Sequence, residues 1–184
     1  MKRTSFTDMS CSIARTLDLI GEWWTPLILR DIFLGIRRFE ILLNHLGISR
    51  NILTDRLQTL VDNDILERRL YQENPERYEY WLTERGRDLF PIFATVMAWG
   101  DKWLHADDGQ PATLVHKDCG KATKPIVACS KCGGAITLRN VYARRGPGGD
   151  AEEWEGIRAA IEQSAPTVKA AAKDDKRKAK AAKK

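Results

Sequence analysis

Two runs of alternating apolar and polar or charged residues, Leu66 to Tyr71 and Tyr78 to Thr83, flank a turn-rich stretch from Gln72 to Arg77. A period of two gives each run one side for a core and one for water, so the pair reads as a β-hairpin with a charged tip. What surrounds the hairpin is patterned for helices. Residues 11 to 20 set Ile13, Leu17 and Ile20 on one helical face, and Gly21 breaks the pattern. Thr25 then Pro26 marks a helix start, with Thr as N-cap and Pro at the first helical position, and the helix stops at Gly35. Arg38 to Leu46 reads as a third helix with Phe39, Leu42, Leu43 and Leu46 inward, ended by Gly47. Ser49 caps a fourth, about Arg50 to Asn63, whose core stripe is Leu53, Leu57, Leu60 and Val61.

Beyond the hairpin, Thr83 is placed to cap a long helix reaching about Leu104. Its apolar residues form two stripes. Leu89, Phe93, Val96 and Trp103 make one; Phe90, Met97 and Leu104 make the other. Two stripes can serve one core and one partner. The expected fold class is mainly α with a small β-hairpin (α+β): a winged helix-turn-helix with a long C-terminal dimerisation helix, plus a small Cys-rich β segment.

The texture of the chain divides it further. Residues 1–10 read as an N-terminal arm, 11–104 as the winged helix-turn-helix domain, and 105–112 as a linker. Residues 113–143 carry three of the four Cys in a zinc-ribbon-like segment with β-prone runs such as Ile136 to Val141. Residues 144–165 read as a linker and a short amphipathic helix over 151–163. Residues 166–184 are a low-complexity basic tail, expected to be disordered. The net charge of +5 belongs to that tail, which holds eight Lys/Arg and two Asp/Glu; the rest of the chain has 22 basic and 23 acidic groups. Bulk charge is therefore weak support for nucleic-acid binding, and the argument rests on where charges sit. The tail itself reads equally as a sequence-independent attraction to DNA or as a solubilising end. No apolar run is long enough to span a membrane, and Met1-Lys2-Arg3-Thr4 does not lead into an apolar signal segment, so the expected location is cytoplasmic.

Three helices, a hairpin and a further helix are the element order of a winged helix, with Gly47-Ile48-Ser49 as the tight turn. The fourth helix is then the one expected to enter the major groove of double-stranded DNA. With its Leu stripe inward, Asn51, Asp55 and Gln58 face outward, and Ser49, Arg50 and Thr54 lie at its N-terminal end. Asn and Gln can pair bidentately with adenine and Arg with guanine, while hydroxyls and the helix N-terminus suit phosphate. The hairpin adds Arg68, Arg69 and Arg77 for the backbone or minor groove. One such domain reads few base pairs and two-fold symmetry doubles the contacts, so a homodimer is expected.

Several of these segments match a known family in order. Cys11 precedes an apolar helix; Gly21-Glu22-Trp23-Trp24-Thr25-Pro26-Leu27-Ile28-Leu29-Arg30 and Gly35-Ile36-Arg37-Arg38-Phe39 follow; then come Gly47-Ile48-Ser49 with Leu53, Leu57 and Leu60, and Leu82-Thr83-Glu84-Arg85-Gly86. Over residues 11–104 the chain resembles the HxlR-type family of MarR-like regulators. The resemblance implies a dimer built by the first and the long C-terminal helices, and a pseudo-palindromic operator. It also implies that Cys11 is a candidate sensor of oxidants, quinones or aldehydes. A cysteine near a helix N-terminus can have enhanced nucleophilicity. The bland alternative is a small residue near the dimer interface. The small-molecule effector is not specified.

The remaining cysteines form a separate group. Cys129-Ser130-Lys131-Cys132-Gly133-Gly134 has the shape of a zinc knuckle, and His116-Lys117-Asp118-Cys119-Gly120 repeats its spacing with His first. Together His116, Cys119, Cys129 and Cys132 read as ligands for one structural Zn²⁺, although the nine-residue gap between the halves is shorter than the usual ribbon spacing. A metal-free hairpin and a redox-active Cys129–Cys132 pair are the other readings. A zinc-bearing protein-interaction module of the transcription machinery is the rival function; the basic hairpin and the polar face of the fourth helix favour DNA. An enzyme is not expected, since His45, His105 and His116 are scattered and no nucleophile–base motif or phosphate loop is present.

Overall fold

The structure is a computed structural model that describes residues 5–105 and 109–164. Part of the N-terminal arm, part of the linker and the whole basic tail lie outside the described residues. The chain divides into two compact units, Met1–Val141 and Tyr142–Lys184. In the first, α1 (Ser12–Ile20), α2 (Trp24–Phe33), α3 (Phe39–Leu46) and α4 (Arg50–Asp62) precede an antiparallel hairpin of β1 (Leu66–Glu73) and β2 (Glu76–Leu82). Then come α5 (Glu84–Arg87), α6 (Phe90–Trp103) and a two-residue ladder of β3 (Leu114–Val115) with β4 (Ala122–Thr123). In the second unit α7 (Ala151–Ser164) is opened by Asp150, whose Oδ1 accepts the Glu153 backbone N–H at 2.8 Å.

The core gathers Ile28, Leu29 and Ile32 of α2, Leu42 of α3, Leu53, Leu57 and Leu60 of α4, and Ile65 and Leu66 at the hairpin base. The expected stripe of the fourth helix is thus the one that packs, with Val61 half-buried at its edge. In α3 only Leu42 is fully inside; Phe39, Leu43 and Leu46 are half-buried against it. Among the described residues one charged side chain is fully enclosed. Asp31 accepts from Arg30 Nε at 2.9 Å and from a second guanidinium nitrogen at 2.8 Å, and His45 Nδ1 lies 2.6 Å from its other oxygen. Enclosing a carboxylate is tolerable only with partners of this kind. The pair ties α2 to the helix just before the turn.

Four elements differ from the sequence expectation. Thr25 is not the N-cap of α2. The helix starts two residues earlier, with Trp23 at the N-cap position and the Thr25 N–H donating to Glu22 O at 3.0 Å, and Thr25 itself is buried in the first turn. Pro26 still fits, because first-turn N–H groups lack helical partners. The hairpin strands run further than their alternation suggested, leaving Asn74-Pro75 as the turn, with a register shift at Tyr71.

Thr83 caps only α5, not one long helix. Pro91 removes the N–H that would bond to Arg87 and its ring crowds that carbonyl, so the helix ends and restarts as α6. Finally, Ile136 to Val141 is not a strand. Asn140 closes it into a turn, accepting the Thr137 N–H at 2.8 Å and donating to Ala135 O at 2.8 Å.

The apolar stripes of the last helix also divide differently. Leu89 and Phe93 pack on the core and Phe90 sits edge-on to Phe33 with ring centroids 5.4 Å apart. Farther along α6, Val96, Trp99, Trp103 and Leu104 are exposed. The uncovered residues Ile92, Val96, Trp99 and Trp103 recur at helical spacing, so one face of α6 stands open while Phe93, Ala94 and Met97 on the other are covered. On α1 only Ile20 is buried, and Ile13 and Leu17 face solvent, contrary to a face turned wholly inward.

Candidate nucleic-acid interface

Local chemistry fixes the helix–turn–helix. Gly47 ends α3 in the left-handed region at φ +64°, Ile48 is buried, and Ser49 Oγ accepts the Ile52 N–H at 3.3 Å. The Ser49 hydroxyl therefore serves as the cap of α4 rather than standing open for phosphate. Above the buried Leu53, Leu57 and Leu60, the residues Asn51, Thr54, Asp55 and Gln58 form one exposed stripe. Their spacing of three and four is that of a single helical face.

Several polar groups along α4 already have protein partners. Arg50 donates bidentately to Glu40, at 2.8 and 3.0 Å, and its guanidinium lies 5.1 Å from the Phe39 ring centre. The hydrogen bonds from Arg50 hold the Glu40 carboxyl below the usual carboxylate range and raise the Arg50 guanidinium in turn. Asp55 is bonded to Arg56, and Gln58 Nε2 donates to Asp62 at 2.6 Å. Asn51 and Thr54 present exposed polar groups.

The hairpin separates residues that adjacent numbering puts together. Arg68 pairs across from Tyr80 and shares a face with Leu66 and Leu82, which pack on the core. Arg69 lies on the opposite face with Glu67, Glu79 and Trp81, so Arg68 and Arg69 cannot front the same surface. Arg77 is exposed beside the turn.

Sequence reasoning missed the contribution of Arg37 and Arg38. Arg38 bridges to Glu79 and Tyr80 N donates to Arg37 O at 2.9 Å, so the segment before α3 runs beside β2. Arg37 stacks 3.5 Å from the Trp81 ring centre and Arg69 lies 4.4 Å from it, placing the indole against two guanidiniums. Arg38 also donates to Glu79 at 2.9 Å. The signal was the Arg-Arg pair before a helix start, readable only with the strand beside it. Trp23, almost fully exposed, borders a groove with Asn51, Ile52 and Asp55 at the start of α4.

A second surface lies elsewhere in the same unit. Ile13, Leu17, Ile20, Pro26, Ile92, Phe93 and Val96 line an almost wholly apolar groove of about 470 Å³. Cys11 stands at the N-cap of α1, half-buried, with its carbonyl accepting the Arg15 N–H.

Of the four candidate metal ligands, Cys129 and Cys132 are hydrogen-bonded neighbours. Backbone N–H groups of Lys131 and Cys132 point at the Cys129 sulfur and hold its thiol below the ordinary cysteine range. His116 and Cys119 occupy a separate turn, with His116 Nε2 3.8 Å from Asp118. Among the described residues no three His, Cys, Asp or Glu side chains converge tightly enough to hold a metal ion, so the expected four-ligand set is not gathered in advance.

Residues 19–108 match the family described as HxlR-like helix-turn-helix. Over 137 residues the chain is 47% identical to Rv3095 of Mycobacterium tuberculosis, an uncharacterized HTH-type transcriptional regulator; that stretch is 74% of this chain and 87% of the relative. The chain belongs to the HxlR-like helix-turn-helix family of DNA-binding transcriptional regulators. Another family relative, the HTH-type regulator sll1512 of Synechocystis, is 40% identical over 105 residues, 56% of this chain and 78% of its own. The solved structure of PA1607, described as a transcription factor, superposes with a TM-score of 0.70 at 34% identity, covering 78% of this chain and all of that one. The HxlR-like fold is thus shown as mostly helical with a small antiparallel wing. No helix among the described residues is long and apolar enough to cross a membrane.

Proposed function

We propose that this HxlR-like protein regulates transcription as a homodimer on a pseudo-palindromic operator, with α4 of each copy in the major groove. The observation that carries the reading is the exposed Asn51, Thr54, Asp55 and Gln58 stripe of α4, standing directly over its buried Leu stripe after a capped turn. A helix fixed on one side by core packing can present the other to base edges without losing its register. The wing, with Trp81 between Arg37 and Arg69, supplies positive charge on a rigid aromatic base for the flanking phosphates.

The apolar groove of α1 and α6 supports the second copy. Large exposed apolar patches on a folded domain mark interaction sites. Here the patch comes from the two helices that the family resemblance assigns to dimerisation. Cys11, at the edge of α1, is the candidate effector site. Oxidation or alkylation of its thiol would add bulk and polarity at the start of that helix.

Selection of genomic fragments by the purified protein tests the reading. The expected result is a motif of two inverted half-sites. The variant Arg50→Ala/Asn51→Ala/Gln58→Ala, with helicity intact, should lose preference for that motif. Unchanged preference in the folded variant would remove α4 from base readout.

A further inference from the structure

We propose that His116, Cys119, Cys129 and Cys132 bind one divalent cation of the zinc class, and that binding draws two matching turns together to order the segment between α6 and the second unit. The two turns have the same backbone. In the first, the Gly120 N–H donates to His116 O at 2.8 Å and the His116 N–H donates to Lys121 O at 3.0 Å. In the second, the Gly133 N–H donates to Cys129 O at 2.8 Å and the Cys129 N–H donates to Gly134 O at 2.8 Å. Both bonds recur at the same offsets. Gly120 and Gly133, at φ +66° and +71°, occupy the same left-handed position. Each turn carries its two soft or borderline donors at the first and fourth places, His116 with Cys119 and Cys129 with Cys132.

The packing of this segment is the independent observation. Between residues 109 and 141 no side chain is buried; Leu114, Pro125 and Cys129 are the only ones partly covered. Val115, Ile126 and Leu138 are 58%, 85% and 95% exposed. The ladder between β3 and β4 is two residues long. A strand pair that short with no apolar cover does not hold itself in water, and segments of this size are ordered by a disulfide, a metal or a partner. The four cysteines are unpaired thiols. A redox pair at Cys129 and Cys132 would explain one turn but not its copy at His116 and Cys119.

The donor chemistry suits zinc. Three thiolates and one imidazole make a closed tetrahedral set at about 2.3 Å for sulfur and 2.0 Å for nitrogen, with no position left for substrate. Each thiol gives its proton to the buffer as its sulfur binds the ion. Because the ligands are split between two turns, ion binding and closure of the segment occur together.

The test uses the full chain, reduced and stripped of metal, titrated with Co²⁺ and then with Zn²⁺. The expected result is one Co²⁺ per chain. It should show the visible bands of a tetrahedral site and an ultraviolet thiolate-to-metal band, both erased by one equivalent of Zn²⁺. Cleavage by trypsin between residues 117 and 131 should slow in the metal-bound chain. Cys129→Ser/Cys132→Ser should abolish the bands, and Cys119→Ser and His116→Ala should each weaken Co²⁺ binding by about tenfold or more. All variants should keep the helical circular dichroism of the parent. Absence of tetrahedral Co²⁺ bands in the reduced parent overturns the proposal, and that result needs no variant. So do bands that survive Cys129→Ser/Cys132→Ser. Full-strength binding in both Cys119→Ser and His116→Ala would assign any metal to the second turn alone and overturn the two-turn site.

Discussion

Replacing Ile13 and Val96 together by Ala should dissociate the proposed dimer while leaving each protomer folded. The two side chains line the groove of α1 and α6 and are 72% and 63% exposed in the single chain. Truncation removes three carbons from one and two from the other, each worth about 0.8 kcal/mol when moved from water into apolar contact. Scaled by the exposed fractions, the loss is about 2.7 kcal/mol per protomer, and two-fold symmetry brings it to about 5 kcal/mol for the dimer. At about 1.4 kcal/mol per decade, the dimer dissociation constant rises by roughly a thousandfold to ten-thousandfold. The protomer core changes little because neither side chain is inside it, and Ala is the better helix former at both positions. Sedimentation equilibrium over a wide concentration range measures the dissociation constant, with circular dichroism as the folding control. A shift of less than about tenfold in a variant of parental helicity would show that the groove does not seat a second copy.

Three other perturbations follow from single contacts. A Cβ at Gly86 would stand 2.2 Å from the backbone oxygen of Ile65, which cannot move without breaking the hairpin base. Gly86→Ala should therefore destabilise the domain by about 3 kcal/mol, lowering a melting midpoint by roughly 15 °C in a calorimetric scan. Glu40→Gln releases the Arg50 guanidinium and removes a negative charge beside α4. Operator affinity should rise, and the slope of log K against log salt should steepen by about one, a change that fluorescence anisotropy at several salt concentrations reads directly. Treating the parent with a quinone or peroxide should lower operator affinity, and Cys11→Ser should be indifferent to the same treatment; equal responses would exclude the Cys11 thiol as sensor.

How legible the fold was depends on where each signal lies. Ser49, Gly47 and the Leu stripe of α4 act within a few residues of themselves, so their roles in cap, turn and core could be read directly from the sequence. Thr25 failed because a turn at Glu22 and Trp23 supplied the first carbonyl, and a buried position suited a small hydroxyl residue. The break before α6 had its signal in Pro91, which outweighed the apolar periodicity running through it. Arg37 and Arg38 could not be placed from sequence, since their partners Trp81 and Glu79 lie some forty residues away across the hairpin. The same distance effect parts Arg68 from Arg69: adjacency in the chain is opposition in a strand.

The electrostatics of the interface bear on why two copies would be needed. Outside residues 166–184 the chain is nearly neutral, and several of its interface arginines answer local carboxylates: Arg50 to Glu40, Arg38 to Glu79, Arg69 to Glu67. Such a surface gains little from a uniform field of phosphates, because each arginine must first leave an acidic partner. The exchange is favourable only where a phosphate or base edge offers a better-placed acceptor than the carboxylate it replaces. On the proposed reading, the ion pairs would disfavour random duplex more than the operator and would limit the affinity of one copy. In the proposed dimer, a two-fold partner would restore affinity by presenting the second α4 to the second half-site, without adding charge that would hold the protein on any DNA.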